Sequence, residues 1–178
     1  MTGIIIQGIG YVGVLCFVIS YLSKSRGRII LFSFLARAFF VTHFVLLGGY
    51  SGAAQNAVGG IASIISARRG KKPFDSKYVP LFIVGLTLVC GVLTFDSSRG
   101  IISLLPVGAM ILQNLALWLK KQTNIRIVTL AGLPLWFSYN FLTGSAAGMA
   151  GDTFSAISLT AALIRYDIIP RIKNRKNG

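Results

Sequence analysis

Two ten-residue stretches, Leu47-Gly-Gly-Tyr-Ser-Gly-Ala-Ala-Gln-Asn56 and Thr143-Gly-Ser-Ala-Ala-Gly-Met-Ala-Gly-Asp152, stand 96 residues apart and decide how the chain is organised. In each, a glycine-bearing turn leads into a stripe of small residues that ends on a polar side chain. Gly48 falls on Gly144, Gly52 on Gly148 and Asn56 on Asp152. Carried outward at the same offset, Lys24 meets Lys120, Thr42 meets Ser138, His43 meets Tyr139 and Arg69 meets Arg165. Only 10 of the 66 pairs from Ile4/Gly100 to Arg69/Arg165 are identical, which is close to chance for two apolar sequences. The weight therefore rests on where the matches fall, in corresponding turns, loops and segment ends.

The composition decides the class. Of 178 residues, 54% are hydrophobic and 12% charged, with a net charge of +14. A soluble domain carries about 25% charged residues and could not hide so many apolar segments in one core of this size. A membrane protein is expected. With four Asp, no Glu and one His, metal-ligand clusters and paired-carboxylate catalysis have little to work with, so neither an enzyme nor a metal or other cofactor is expected. Cys16 and Cys90 both lie in apolar stretches and support no disulfide framework. Gly8-x-Gly10-x-x-Gly13 fits a dinucleotide pattern formally, but no strand or βαβ unit surrounds it.

Crossing a hydrocarbon core takes about 20 mostly apolar residues. Seven segments answer to this, at 4–22, 29–47, 51–67, 78–95, 101–119, 125–143 and 146–165. The first lacks a basic lead and a cleavage pattern, so it is expected to be a permanent span rather than a signal peptide. With seven crossings, Lys24, Arg26, Arg28, Arg68, Arg69, Lys71, Lys72, Lys77, Lys120, Lys121, Arg126 and Arg165 share one side with the tail's Arg171, Lys173, Arg175 and Lys176, and Arg99 stands alone opposite. Short basic loops remain cytoplasmic. The N-terminus is expected outside and the C-terminus in the cytoplasm, with the basic face against anionic lipid and not nucleic acid.

Three crossings reverse the chain's side. A second copy in the same orientation therefore needs one extra crossing between the two, a role that falls to segment four. The expected fold is an all-α membrane protein of seven transmembrane helices in 3+1+3 parallel repeats. It divides into a three-helix bundle at 1–70, a linker helix at 71–98, a second bundle at 99–167 and a basic cytoplasmic tail at 168–178.

Gly8-Ile-Gly-Tyr-Val-Gly13, the basic first loop, Leu35-Ala-Arg37, His43-Phe44, Leu47 to Asn56 and Arg68 together resemble the YgjV-type bacterial inner-membrane protein family, over nearly the whole chain and most strongly in its first half. The 3+1+3 arrangement resembles the SWEET and PnuC transporters of the PQ-loop/MtN3 clan. That likeness implies proline hinges in the first two helices of each repeat. Pro106 and Pro134 match in the second repeat, while Gly10 and Ala38 stand at the equivalent positions in the first. It also implies a polar residue facing the solute from each third helix, which Asn56 and Asp152 match.

Ionisable groups inside a bilayer are costly and turn toward a cavity or toward each other. Arg37, near the middle of segment two, and Asp152, one turn into segment seven, are expected either to line one cavity or to form a structural ion pair. His43, Asn56 and Asn140 lie in the outer halves of their segments and are solute-binding candidates, against interhelical hydrogen bonding as the alternative. Gln113 and Asn114 are secondary candidates in the inner half of segment five. Trp118, Trp136 and Tyr50 are expected as interfacial anchors or packing. The expected function is a small-solute transporter for a polar or anionic metabolite, working by alternating access with Gly10, Pro106 and Pro134 as hinges. Its partners are the solute and membrane lipids. The alternative is a non-transporting scaffold or sensor that binds a partner or lipid through its basic face.

Overall fold

The computed structural model describes residues 2–22, 26–68, 70–74, 76–116, 118–119 and 121–169. Lys24, Arg69, Lys120 and the tail cations Arg171, Lys173, Arg175 and Lys176 lie outside the described residues. The chain is all-α, with seven α-helices and no strand among the described residues. They are α1 (Thr2–Leu22), α2 (Arg26–Leu46), α3 (Tyr50–Ala67), α4 (Val79–Leu93), α5 (Leu105–Ala116), α6 (Gln122–Leu142) and α7 (Ala146–Leu163). Six of the seven expected segments coincide with these helices to within a few residues. The fifth differs. Instead of one helix over 101–119, a 3₁₀ segment at Gly100–Leu104 hands over to a shorter α5 at Pro106. Proline has no N–H to give and its ring crowds the carbonyl four residues back, so the α-helical ladder cannot run through from Ile102.

The helix bounds follow the sequence offset. α2 and α6 begin and end 96 residues apart, as do α3 and α7. Their connections match bond for bond. Leu47, Gly48 and Gly49 N–H donate to the carbonyls of His43, Val45 and Phe44; Thr143, Gly144 and Ser145 N–H donate to those of Tyr139, Phe141 and Asn140. Both turns place glycine in the left-handed region, Gly48 at φ 68° and Gly144 at φ 70°. For any L-residue with a side chain that conformation costs about 1–2 kcal/mol. Gly48→Ala and Gly144→Ala are each expected to lose about that much stability, to similar extents, in thermal unfolding of the detergent-purified protein. Unequal losses would show that the two turns do not do the same job.

Packing follows the same order. α1, α2 and α3 pack consecutively, as do α5, α6 and α7; α1 meets α7, α3 meets α5, and α4 lies against α3 and α5. One end of the bundle gathers the start of α1, the α2–α3 and α6–α7 turns, and the α4–α5 connection. Gln7 Nε2 donates to the Gly144 carbonyl at 2.8 Å, and Arg99 Nη2 lies 3.6 Å from where a Cβ on Gly48 would stand. At this glycine-turn end Arg99 is paired with Asp96 at 3.4 Å. The Asp96 carboxyl is held below its ordinary range first by the Ser98 hydroxyl, then by the Ser98 N–H and the Arg99 charge. At the opposite end Arg126 bonds Asp167 at 2.6 Å, and the Thr123 hydroxyl also donates to that carboxylate. This basic end also carries Arg28, Arg68, Lys71, Lys72, Lys77, Lys121 and Arg165.

Polarity is inverted relative to a water-soluble bundle. Ser20, His43, Gln55, Asn56, Thr87, Asn114 and Asn140 are buried, while Ile4, Leu15, Leu81, Phe82, Val92, Leu93 and Ile157 face outward. An exterior of large apolar side chains around a polar interior fits a hydrocarbon surround. Three helical stretches, Gly3–Ser20, Gln122–Leu142 and Ala146–Ile168, are long and apolar enough to cross a membrane. Ile30–Leu46, Val79–Leu93 and Gly100–Ala116 are apolar but shorter. α3 gains its tight packing through glycine, alanine and serine at the expense of apolar length.

Candidate functional site

A cavity of about 290 Å³ runs between the two groups of three helices. Seven pairs of its lining residues are related by the 96-residue offset. On α1 and α5 they are Phe17/Gln113 and Val18/Asn114; on α2 and α6, Ser33/Thr129, Arg37/Leu133, Phe40/Trp136 and Phe44/Asn140; on α3 and α7, Asn56/Asp152. Equivalent surfaces from both halves thus face the same space. Eleven residues separate Ser33 from Phe44 and Thr129 from Asn140, so the cavity extends about 16 Å along these helices at about 1.5 Å per residue.

Four of the sequence candidates, Arg37, Asn56, Asn140 and Asp152, come together on this wall. The Asn140 amide donates to Asp152 Oδ2 at 2.7 Å, fixing the carboxylate. Asn140 is 2% exposed, and among the described residues its Oδ1 has no hydrogen-bond partner. The oxygen lies beside Gly148, where a side-chain carbon would collide with it. Arg37 reaches toward α3, its guanidinium over Gly59 and 5.9 Å from the Phe17 ring centroid. Gly59 is a glycine because any Cβ there would occupy the guanidinium's position. Arg37 and Asp152 therefore share the cavity from opposite bundles, and among the described residues Asp152 is held by Asn140, with no ion pair to Arg37. Asn56 lines the cavity while its Nδ2 donates to the Gly52 carbonyl at 3.0 Å.

His43 is not brought to the cavity wall. Fully buried, it has Nδ1 2.8 Å from the Ile6 carbonyl and Nε2 2.7 Å from Ser145 Oγ. A carbonyl only accepts, so Nδ1 carries the proton, and in the neutral ring Nε2 accepts from the Ser145 hydroxyl, which itself accepts from Gly148 N–H at 3.0 Å. His43 thus ties α2 to α1 and to the start of α7. Its offset partner Tyr139 makes the mirror contact, its hydroxyl accepting from Gly52 N–H at 3.0 Å and so tying α6 to the start of α3. Together the two side chains latch the halves across the glycine-turn end, above the cavity. Phe44 stacks on Trp136 beside them, with ring centroids 6.2 Å apart.

The hinge candidates occupy three different settings. Gly10 lies in an uninterrupted α1, where a Cβ would stand 2.6 Å from Ala147 Cβ and 2.9 Å from the His43 ring. Pro106 is buried at the 3₁₀-to-α junction, and Pro134 is exposed within α6. Trp136 is 6% exposed and part of the inner aromatic cluster, so it is a cavity wall and not an interfacial anchor; Tyr50, 62% exposed, suits an anchor. Gln113 lines the cavity. So does Asn114, which also donates to Thr87 Oγ1 at 3.1 Å, while Gln55 donates to the Thr87 carbonyl at 3.1 Å, so α4 is bonded to both α3 and α5. Ser33, Thr129 and Ser63 also line the cavity and were not singled out in the sequence. For Ser33 and Thr129 the signal is there, because two hydroxyls fall at one offset position.

Among the described residues the chain is all-helical, with an apolar exterior and, between two sets of three helices, a cavity into which polar and charged side chains are gathered, and it is built as a membrane protein. It belongs to the Imp-YgjV family, a bacterial inner membrane protein family whose pattern matches residues 4–168. No curated protein and no solved structure matches it.

Proposed function

We propose that the chain is a small-solute carrier of the bacterial inner membrane. Two parallel three-helix bundles, within 1–70 and 99–167, are joined by α4 as a linker helix and rock about the cavity between them. The observation that carries this is the set of seven offset-related pairs on the cavity wall. A solute site at the interface of two structural repeats is how alternating-access carriers are built. The matched bounds of α2 with α6 and α3 with α7, and the matched contacts α1 to α7 and α5 to α3, support the repeat and the likeness to SWEET and PnuC carriers. Seven crossings, with the basic end in the cytoplasm, agree with the distribution of Lys and Arg over the two ends. The His43 and Tyr139 latches then close the outer end, and the cavity runs toward the cytoplasm.

The test is cysteine accessibility in membrane vesicles of known orientation, after Cys16 and Cys90, the two free cysteines, are replaced by alanine. Asn56→Cys and Asp152→Cys are expected to react with a membrane-impermeant thiol reagent from the basic side. Adding His43→Ala should remove two buried hydrogen bonds, lower stability by about 2 kcal/mol and raise labelling from the glycine-turn side several-fold. Failure of both cysteines to react from either side would give a dry core and favour a scaffold that acts through its basic face.

A further inference from the structure

We propose that Asp152 is the proton-binding site of the carrier, and that a proton taken up there from the outer solution and released to the cytoplasm is the ion that drives its solute. This rests on the carrier reading and specifies its energy coupling.

Among the described residues Asp152 is the one carboxylate on the cavity wall, about 9 Å along α7 from Ala146 at about 1.5 Å per residue. It is in no ion pair there; the Asn140 amide donates to its Oδ2 at 2.7 Å and ties α7 to α6. The side chain is only half-buried, so the cavity gives a proton a route to it. An ionisable group in this position within a bilayer marks an ion path or a proton relay.

The first bundle shows what the protonated group would do. At the equivalent position the Asn56 Nδ2 donates to the carbonyl of Gly52, four residues back in its own helix, at 3.0 Å. Gly148 stands at the same spacing before Asp152. A carboxylate has no proton to donate to that carbonyl; a carboxylic acid has one, with its O–H in the place of the amide N–H. Uptake of a proton forms one O–H on the carboxylate and gives α7 a bond that α3 already has. The bond from Asn140 then falls from a charge-assisted one to a neutral one, roughly half as strong. Release of the proton reverses both changes.

The Asn140 bond is placed to act on the outer latches. Asn140 follows Tyr139 in α6, and its Oδ1 lies against Gly148, whose N–H donates to Ser145 Oγ, the atom bonded to His43. With Asp152 charged, the α6–α7 tie beside both latches is strong; with Asp152 neutral it is weak, and the glycine-turn end loosens. The first bundle has no such device, since Asn56 does not ionise and Phe44 stands where Asn140 would.

The other titratable groups on the neighbouring elements are otherwise engaged or turned away. The Tyr139 hydroxyl of α6 is on Gly52 N–H, and His43 of α2 is bonded to Ile6 and Ser145. Arg37 of α2 shares the cavity and stays charged throughout. From α1, Val14 and Phe17 line the cavity, Tyr11 is exposed and Cys16 is buried. Along α7 the next ionisable residue, Arg165, is about 20 Å further on. His43 is thus the competing site for a proton near the latch, and it enters the test as such.

The experiment reads the proton and the gate separately, and neither reading needs the solute. Infrared difference spectroscopy detects protonated carboxyl groups directly, and with four Asp and no Glu the spectrum of this chain is simple. Moving the purified protein from alkaline to mildly acidic buffer is expected to bring up a protonated-carboxyl band that Asp152→Asn removes. Asparagine is what the first bundle carries at the equivalent position, so this variant is expected to fold; absence of any such band in the parent overturns the proposal without it. The gate is read on Asn56→Cys with Cys16 and Cys90 replaced by alanine. On the same acidification, its labelling by an impermeant thiol reagent from the glycine-turn side is expected to rise about threefold or more relative to the same reporter combined with Asp152→Asn, a ratio that cancels the thiol's own titration. A reactive Asn56→Cys whose ratio does not change with pH, a band that survives Asp152→Asn, or a pH dependence that disappears with His43→Gln and persists with Asp152→Asn overturns the proton site and leaves the carrier standing. So does a response to sodium at constant pH in place of the response to acid. Asn56→Cys and Asp152→Cys both unreactive from either side remove the carrier and its coupling together.

Discussion

Gly10→Val is expected to lower the stability of the purified protein by about 3 kcal/mol, the upper end of what overpacking ordinarily costs. The first added carbon alone would stand 2.6 Å from Ala147 Cβ and 2.9 Å from two atoms of the His43 ring. Neither neighbour can retreat. Ala147 is fixed to the backbone of α7, and His43 is held at both nitrogens by Ile6 and Ser145. Gly8→Val, two residues away on the same helix, is the control, because a Cβ there meets nothing within 4 Å. Both substitutions carry the same helix-propensity change, so the difference between them in denaturant or thermal unfolding isolates the contact. Equal stabilities would mean that α1 and α7 do not approach at Gly10. The position was assigned a hinge by resemblance; its surroundings give it the task of letting three helices meet.

Gly151→Trp is expected to abolish solute binding while leaving the melting temperature within a few degrees of the parent. Gly151 lines the cavity, yet a Cβ there would be 3.4 Å from Val14 Cγ2 and 4.0 Å from Phe40 Cζ, ordinary van der Waals contact. The backbone therefore accepts a side chain, and an indole has only the cavity in which to lie. Gly151→Ala should fold and bind like the parent. If the tryptophan variant binds the same ligand with unchanged affinity, the solute site is elsewhere. Gly148, three residues earlier, cannot serve in this experiment, since any side chain there strikes Asn140 and Ser145.

Much of the fold was legible because lipid exposure writes a strong signal. Apolar runs of near-constant length gave helix positions to within a few residues, and the glycines at 48 and 144 marked two turns that prove identical in hydrogen bonding. The fifth segment was misjudged because hydropathy is blind to Pro106, which breaks the ladder without changing the apolar count. At the site, Arg37, Asn56, Asn140 and Asp152 were legible because polar groups in apolar helices have few places to go. His43 differs from them: a lone histidine in an apolar helix is more readily an interhelical hydrogen bonder than a solute ligand, and its bonds to Ile6 and Ser145 give it that role. For Trp136 the sequence leaves an interfacial anchor and packing both open, because amphipathic rings serve interfaces and interiors equally well, and the structure gives packing. Asn140 and Asp152 lie on successive helices at positions that only the geometry of the α6–α7 turn brings to one depth. Their hydrogen bond could not have been deduced from spacing.

The offset-related pairs on the cavity wall are matched in position but not in character. Phe17 is matched by Gln113, Val18 by Asn114, Arg37 by Leu133 and Phe44 by Asn140. Two first bundles brought together would set arginine against arginine with no carboxylate between them; two second bundles would oppose two aspartates. Neither half can replace the other, and a complete site requires one of each. A single chain guarantees that stoichiometry, with α4 bonded to both sides through Thr87 as the tether that prevents like from pairing with like. On the carrier reading, the chain is in effect a heterodimer carried on one polypeptide, and a solute in this cavity would have only one way round to sit.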